Sequence, residues 1–265
     1  MPKASRVLAL AAVLSLGTKV NGQDAQRLVE QAVQTELAAN QADHTKWLYY
    51  EVERKPNHTA KQWVAETSNG DLQRVMEDNG KLLPEAEQRS RMESFAQDSG
   101  AQAKQRKADQ HDDRQTTEML NMLPRAFIWT KTAGQGNDSV LHFKPNPQFH
   151  PPNYEARAFA AMEGDMTIDD TQHRIVSLNG RMIRDVTFGG GFLGRLQAGG
   201  SFEVERREIG KNEWQITETH VHIRGRVLLF RNISEQEDDQ KSKFKQLPGN
   251  ESFKEAEQQL LQQRE

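Results

Sequence analysis

Apolar positions recur at helical spacing first in QDAQRLVEQAVQTELAANQADH (23–44), where Leu28, Val29, Ala32, Val33 and Leu37 share one face. Asp24 is the expected N-cap and Asn40 the expected stop. From residue 45 the pattern changes. TKWLYYEVER (45–54) is aromatic and β-branched and predicts a strand. KQWVAETSNGDLQRVMEDNGKLL (61–83) predicts strand, turn and strand. Asn69-Gly70 is the favoured type I′ pair, and Asn79-Gly80 marks the next turn.

Residues 84–124 break this rhythm. Pro84 suits a helix start, and the segment is rich in Gln, Glu, Lys, Arg and Ala, with a break near Ser99-Gly100. Its apolar residues are sparse: Met92 and Phe95, then Met119, Leu120, Met122 and Leu123. Two inserted helices are expected, polar on most faces. Strands then return at 126–130, 138–144, 156–169, 173–180, 181–188, 201–209, 213–223 and 226–233. With the three early strands this makes eleven. No crossover is long enough for parallel pairing, so the expected class is α+β, mainly antiparallel: a curved meander sheet or incomplete β-barrel wrapped around helices. A single domain is expected over 23–233. Residues 234–265 read as a charged C-terminal tail ending in a short helix, capped by Ser252 and Glu255.

The first 22 residues have a different character. Lys3 and Arg6 precede an apolar run from Val7 to Leu16, and Val20 and Gly22 suit a cleavage site before Gln23. This is the layout of a secretory signal peptide. As a helix the run would reach only about 15 Å, half of a hydrocarbon core. The expectation is a periplasmic or secreted protein, cleaved near Gly22, with no transmembrane segment.

Composition narrows the chemistry. Hydrophobic residues are 35% of the chain and mean hydropathy is −0.85, as expected where one sheet face is solvated. The formal net charge of −3 offers no field for nucleic acid. The chain has no cysteine, which excludes disulfides, thiolate nucleophiles and thiolate metal sites.

The stretch TFGGGFLGRLQAGG (187–200) contains a literal Gly-x-Gly-x-x-Gly at Gly189, Gly191 and Gly194. A dinucleotide site needs a helix after these glycines, and only four residues separate Gly194 from Gly199-Gly200 before a new strand. The cluster reads as a connection between antiparallel strands that carries Phe192 and Leu193 on a loop. His220 and His222 lie two apart on a strand and share a face, a usable ligand pair short of a third partner. Asp165, Asp169 and Asp170 superficially resemble a calcium loop but lack its spacing, and read as a hairpin turn. No cofactor or metal is expected.

The order of elements, and the stretch 163–233 with its Gly-x-Met-x-Ile-Asp hairpin (164–169) and returning Arg-Ile-x-x-Leu (174–178), resembles bacterial periplasmic proteins of the lipoprotein-localisation-factor-like (LolA/LolB-like) half-barrel superfamily, in an uncharacterised branch. The resemblance implies an incomplete barrel around a helix with an apolar cavity for acyl chains. The leading expectation is therefore a non-enzymatic binding or carrier protein. Its groove candidates are Trp47, Tyr49, Trp129, Phe159, Phe192, Leu193, Phe202 and Trp214. Its partner would be a lipid or a lipoprotein acyl chain. The alternative is a structural or interaction protein of the cell envelope with a filled core and a protein partner. A hydrolase or metal-dependent enzyme is a third reading. A pocket of roughly 300 Å³ or more in the sheet would favour the carrier.

Overall fold

The computed structural model describes residues 17–227 and 236–264. The charged and apolar parts of the expected signal peptide and most of the expected strand 226–233 lie outside them.

Helix α1 (Gly17–Ala42) opens the described chain and runs through Asp24, which is therefore not its N-cap. A meander follows: β1 (Lys46–Lys55), β2 (His58–Thr67), β3 (Gly70–Asp78) and the short β4 (Lys81–Leu82). Helices α2 (Glu85–Gln97) and α3 (Ser99–Ala126) are the expected insertion. They break at Asp98, whose side chain accepts from the Ala101 amide at 2.9 Å and caps α3. Then come β5 (Phe127–Gln135), β6 (Asp138–Pro145), α4 (Tyr154–Phe159), β7 (Met162–Asp169), β8 (Arg174–Met182), β9 (Val186–Phe188), β10 (Gly194–Leu196), β11 (Ser201–Gly210), β12 (Glu213–His222), β13 (Gly225–Val227), β14 (Gln236–Leu247) and α5 (Phe253–Gln262).

Eleven strands form one antiparallel sheet in the order β4-β3-β2-β1-β14-β12-β11-β8-β7-β6-β5, and β13-β10-β9 form a small second sheet. The expected class holds, with four local corrections. Residues 236–247 are not a tail: β14 pairs with β1 on one side and β12 on the other. Residues 154–159 are helical rather than strand, because Asn153 accepts from the Ala156 amide at 2.8 Å and caps α4. The strand expected at 181–188 is cut after Met182, and β9 joins the second sheet. The type I′ pair is Asn79-Gly80, at φ 51° and 77°, whereas the β2–β3 turn centres on Ser68-Asn69. There the Thr67 hydroxyl donates to the Gly70 carbonyl at 2.7 Å and accepts from the Asn69 amide at 3.1 Å.

The two faces of the sheet are covered at opposite ends. On the inner face, α1 lies against β5 and β8 and closes the main core. Val29 and Ala32 of α1 meet Trp129, Phe143 and Met166 there. Phe127 sits 4.6 Å from Phe143 and 4.8 Å from Phe159, ring centre to ring centre. On the outer face, α2 and α5 cover β1 to β3, packing Met92 and Leu260 against Leu48, Trp63 and Leu72. The remaining outer face, from β6 to β12, carries mainly polar side chains.

Helix α3 shows how far the sheet curls. It touches the β2–β3 turn through Gln105 and Arg106, and it joins α1 and β5 through Met122 and Leu123. β3 and β5 are nine inter-strand steps apart, roughly 43 Å along the sheet at about 4.8 Å per step. The 17 residues from Gln105 to Met122 span only about 25 Å of helix. An arc of 43 Å on a chord near 25 Å is close to a half-circle, so the sheet is an open half-barrel with α3 strapped across it.

One buried polar contact fixes α1. Glu36 is 2% exposed. Its carboxylate meets Arg174 of β8 at 3.0 Å and Arg206 of β11 at 2.5 Å, and it accepts from the Ile175 amide at 2.8 Å. Glu36→Leu would leave two guanidiniums in the core without a counter-charge, and we expect a loss of about 3–5 kcal/mol in urea unfolding. A loss below about 1 kcal/mol would mean that water already solvates the cluster.

Candidate functional site

The outer face of the sheet carries an open groove of about 740 Å³. Strand register builds its floor. His142, Asp165, Asn179, Glu203, His220 and Asp238 stand directly opposite one another across β6, β7, β8, β11, β12 and β14. A second row, Glu163, Arg181, Ser201, His222 and Gln236, runs beside it. Alternation on each strand sends all of these side chains to one face, while Phe143, Met166 and Met182 point into the core.

The rows pair internally. His142 Nδ1 is 3.0 Å from Asp165, and Arg181 is 2.7 Å from Glu163. Asp238 lies between two imidazoles, 2.7 Å from His220 and 3.6 Å from His222. The hydrogen bond to Asp238 raises the His220 pKa above the ordinary imidazole value. This groove is lined mainly by groups that offer hydrogen bonds and charge, with the Phe202 ring among them. Among the described residues no group of three His, Asp or Glu side chains could hold a metal ion.

The eight apolar candidates do not converge on one groove. Trp129 and Phe159 are buried in the main core, with Leu193 and Phe202 half-buried against it. Phe202 lies over Gly180, where an added Cβ would come within 2.7 Å of its ring. Trp47 and Tyr49 form a separate inner-face cluster with Val64, Ile209 and Phe244. Trp214 donates to Gln172 at 3.0 Å and stacks under Arg174 beside Glu36. Phe192 is 88% exposed. The glycines before it connect β9 to β10 in an antiparallel hairpin, with Gly189, Gly190 and Gly191 all at positive φ, and no helix follows. Asp169 caps the β7–β8 turn through the Thr171 and Gln172 amides, as the hairpin reading expects.

The inner face near Trp47 and Tyr49 carries what the sequence reading missed. Glu66 and Asp71 stand opposite each other on β2 and β3, with Glu51, Asp239 and Lys241 on the neighbouring strands. Lys241 lies 3.6 Å from Glu51 and 3.7 Å from Asp239, and 5.1 Å from the Tyr49 ring centre. α3 is anchored over this cluster. The Asp71 amide donates to Gln105 Oε1 at 2.7 Å, Gln105 Nε2 donates back to the Asp71 carbonyl at 3.2 Å, and Arg106 donates to the Asn69 carbonyl at 2.6 Å. From Lys107 to Arg114 and from Thr116 to Met119 every residue of α3 is exposed. Burial first, then Asp109 of α3, pushes the Asp71 carboxyl up to about 6. Burial and then Asp71 push Glu66 up to about 7, and burial and then Glu51 push Asp239 up to about 6.

These shifts set a pH dependence. A carboxyl raised by folding stabilises most below its unfolded value, and that contribution is lost as pH rises through the folded value. For Asp71, Asp239 and Glu66 the loss falls between about pH 4 and 7. Glu36 has the opposite sign. Burial pushes it up, but Arg206 and Arg174 more than offset this and hold it below 4.5, so its contribution is lost in acid. Stability should peak at about pH 4 and fall as pH rises through about 7. Asp71→Asn should recover about 2 kcal/mol at pH 8 and flatten the profile. An unchanged melting profile in that variant would refute the assignment.

Comparison with protein-family models, with curated proteins and with solved structures finds no match to this chain.

Proposed function

We propose that the protein is an exported, non-enzymatic binding or carrier protein in which α3 is a movable strap over the inner face of the half-barrel. The observation that carries this reading is the seating of α3. It is pinned by polar contacts at Gln105 and Arg106 and by apolar ones at Met122 and Leu123, with an exposed stretch between. A helix without tertiary burial is marginal over that length, so its N-terminal anchor can release without unfolding the sheet. The ligand is a lipid or single acyl chain, laid along Trp47, Tyr49, Val64 and Phe244 beneath the strap. Burial would supply about 25 cal/mol per Å² of ligand surface.

The competing reading is an envelope interaction protein with a filled core. It is favoured by the close aromatic packing of Phe127, Trp129, Phe143 and Phe159.

Gln105→Ala/Arg106→Ala frees one end of the strap. The expected result is a several-fold faster uptake of a fluorescent fatty acid by the delipidated protein, with the melting temperature within about 3 °C of wild type. If neither form takes up the probe, and native mass spectrometry of protein from its host finds no lipid, the carrier reading fails and the filled-core reading stands.

A further inference from the structure

The small sheet β9–β10–β13 closes one end of the inner core. Val186, Phe188, Leu196 and Ile223 turn inward and are buried. The cap is stitched to the main sheet by backbone bonds. The Met182 amide donates to Gly200 at 2.7 Å, Gly199 donates to Met182 at 2.8 Å, and Gln197 donates to Arg224 at 2.8 Å.

The outward side of this cap is unlike the rest of the surface. Phe192 is 88% exposed and Ile183 42%. Phe192 is held out by its loop. Gly189, Gly190 and Gly191 take φ of 54°, 65° and 94°, which side chains rarely adopt. The Phe192 amide donates to the Gly189 carbonyl and the Leu193 amide to the Phe188 carbonyl, each at 3.1 Å. Leu193 packs inward against the core, so its neighbour is left facing solvent.

Several guanidinium groups lie at this end of the molecule. Arg157, Arg181, Arg184, Arg195 and Arg224 are all exposed on the cap and on the segments joined to it. Arg181 pairs with Glu163 and Arg195 with Asp185. Arg157 donates to the Thr187 carbonyl at 3.5 Å and Arg184 to that of Ala160 at 3.2 Å, and among the described residues neither is paired with a carboxylate. Against a chain whose net charge is −3, this end is locally basic.

We infer that this cap docks on an anionic lipid surface, with Phe192 entering the headgroup–acyl boundary and the arginines meeting lipid phosphates. Charge complementarity supplies the anionic character of the partner. The apolar part argues for lipid rather than protein: it is one projecting ring, with Ile183 exposed on the segment leading into β9, whereas a stable protein interface needs on the order of 1,000 Å² with an apolar centre. A ring ahead of a set-back basic layer matches the depth profile of a bilayer interface. The inference holds whether or not the inner face carries a ligand.

The test is co-sedimentation of the full chain with vesicles of phosphatidylcholine alone and with about 30% phosphatidylglycerol. Wild type should bind the anionic vesicles at least about fivefold better than the neutral ones, and lose most binding in about 0.5 M salt. Phe192→Ala should weaken binding to anionic vesicles at least about fivefold. Arg184→Glu/Arg224→Glu should do the same, and all variants should melt with wild type because the changed side chains are exposed. Failure of wild type to bind anionic vesicles would overturn the inference, and so would undiminished binding by Phe192→Ala. Self-association that depends on Phe192, seen by sedimentation in the absence of vesicles, would also overturn it and assign the ring to a second copy of the chain.

Discussion

The seating of α1, and through it the last turn of α3, depends on the Glu36 carboxylate. A buried carboxylate between two guanidiniums is not a strong source of net stability, because desolvation of three charges offsets most of their attraction. What it does is forbid alternatives. If α1 turned about its axis by one residue, or slid by one turn, Glu36 would lose Arg174, Arg206 and the Ile175 amide together. An apolar face alone tolerates such shifts. With Glu36 held, Ala25, Val29, Ala32 and Val33 point at the core and Gln26 reaches the Pro124 carbonyl at 2.8 Å, which seats the last turn of α3. Arg174 in turn orients Trp214. One ionic contact therefore sets the roll of α1 and, through α3, one end of the strap.

The low hydrophobic content follows from how the sheet is covered. β5 to β8 bury their inner side under α1, and β1 to β3 bury their outer side under α2 and α5. The inner side of β1 to β3 is covered only by the small cluster of Trp47, Tyr49 and Val64 and by the anchor of α3. The remaining surfaces are charged ladders, and the strand between the halves, β14, is mostly polar. β14 alternates Asp238 and Gln240 outward with Glu237, Asp239 and Lys241 inward. Its cross-strand partners include Lys55 to Glu237 at 3.4 Å and His220 to Asp238 at 2.7 Å. This strand can form because the ladder on both sides satisfies its backbone, and opposite charges across strands contribute modestly on top.

That is also why it was not legible. A period-two apolar pattern announces strands such as β2, where Trp63 and Ala65 face one way and Val64 the other, but β14 is polar on both faces and reads as a tail. Local chemistry was legible where a short-range device decides the outcome: the break near Ser99-Gly100, the Ser252–Glu255 capping box, the Asp-rich turn at Asp169. α4 was missed although Asn153 followed by helix-forming residues is such a device, because its alanines also suit a buried strand. The groove's histidines and carboxylates were visible singly. Their alignment belongs to register across six strands and has no linear spacing. The apolar candidates failed to assemble for a related reason: aromatic residues on one curled sheet can face opposite sides and separate clusters.

An open sheet of this length leaves two edges, and unpaired edges invite association with other chains. β4 is only two residues long and ends in the turn to α2, which limits one edge. β5 is the other edge, and Lys131 lies along it. A closed barrel would remove both edges by hydrogen-bonding β4 to β5, but its interior could then change only by breaking ladder bonds. Here the two margins are joined by a helix instead. α3 leaves the β3 side and continues without interruption into β5. Lifting its N-terminal end breaks the Gln105 and Arg106 contacts and no backbone bond of the sheet. The carboxylates beneath that end, Glu66 and Asp71 facing Asp109, repel once ionised, so the anchor is weakest where these groups lose their protons. In the proposed carrier, closure by a strap rather than by a strand would separate the stability of the sheet from access to its inner face.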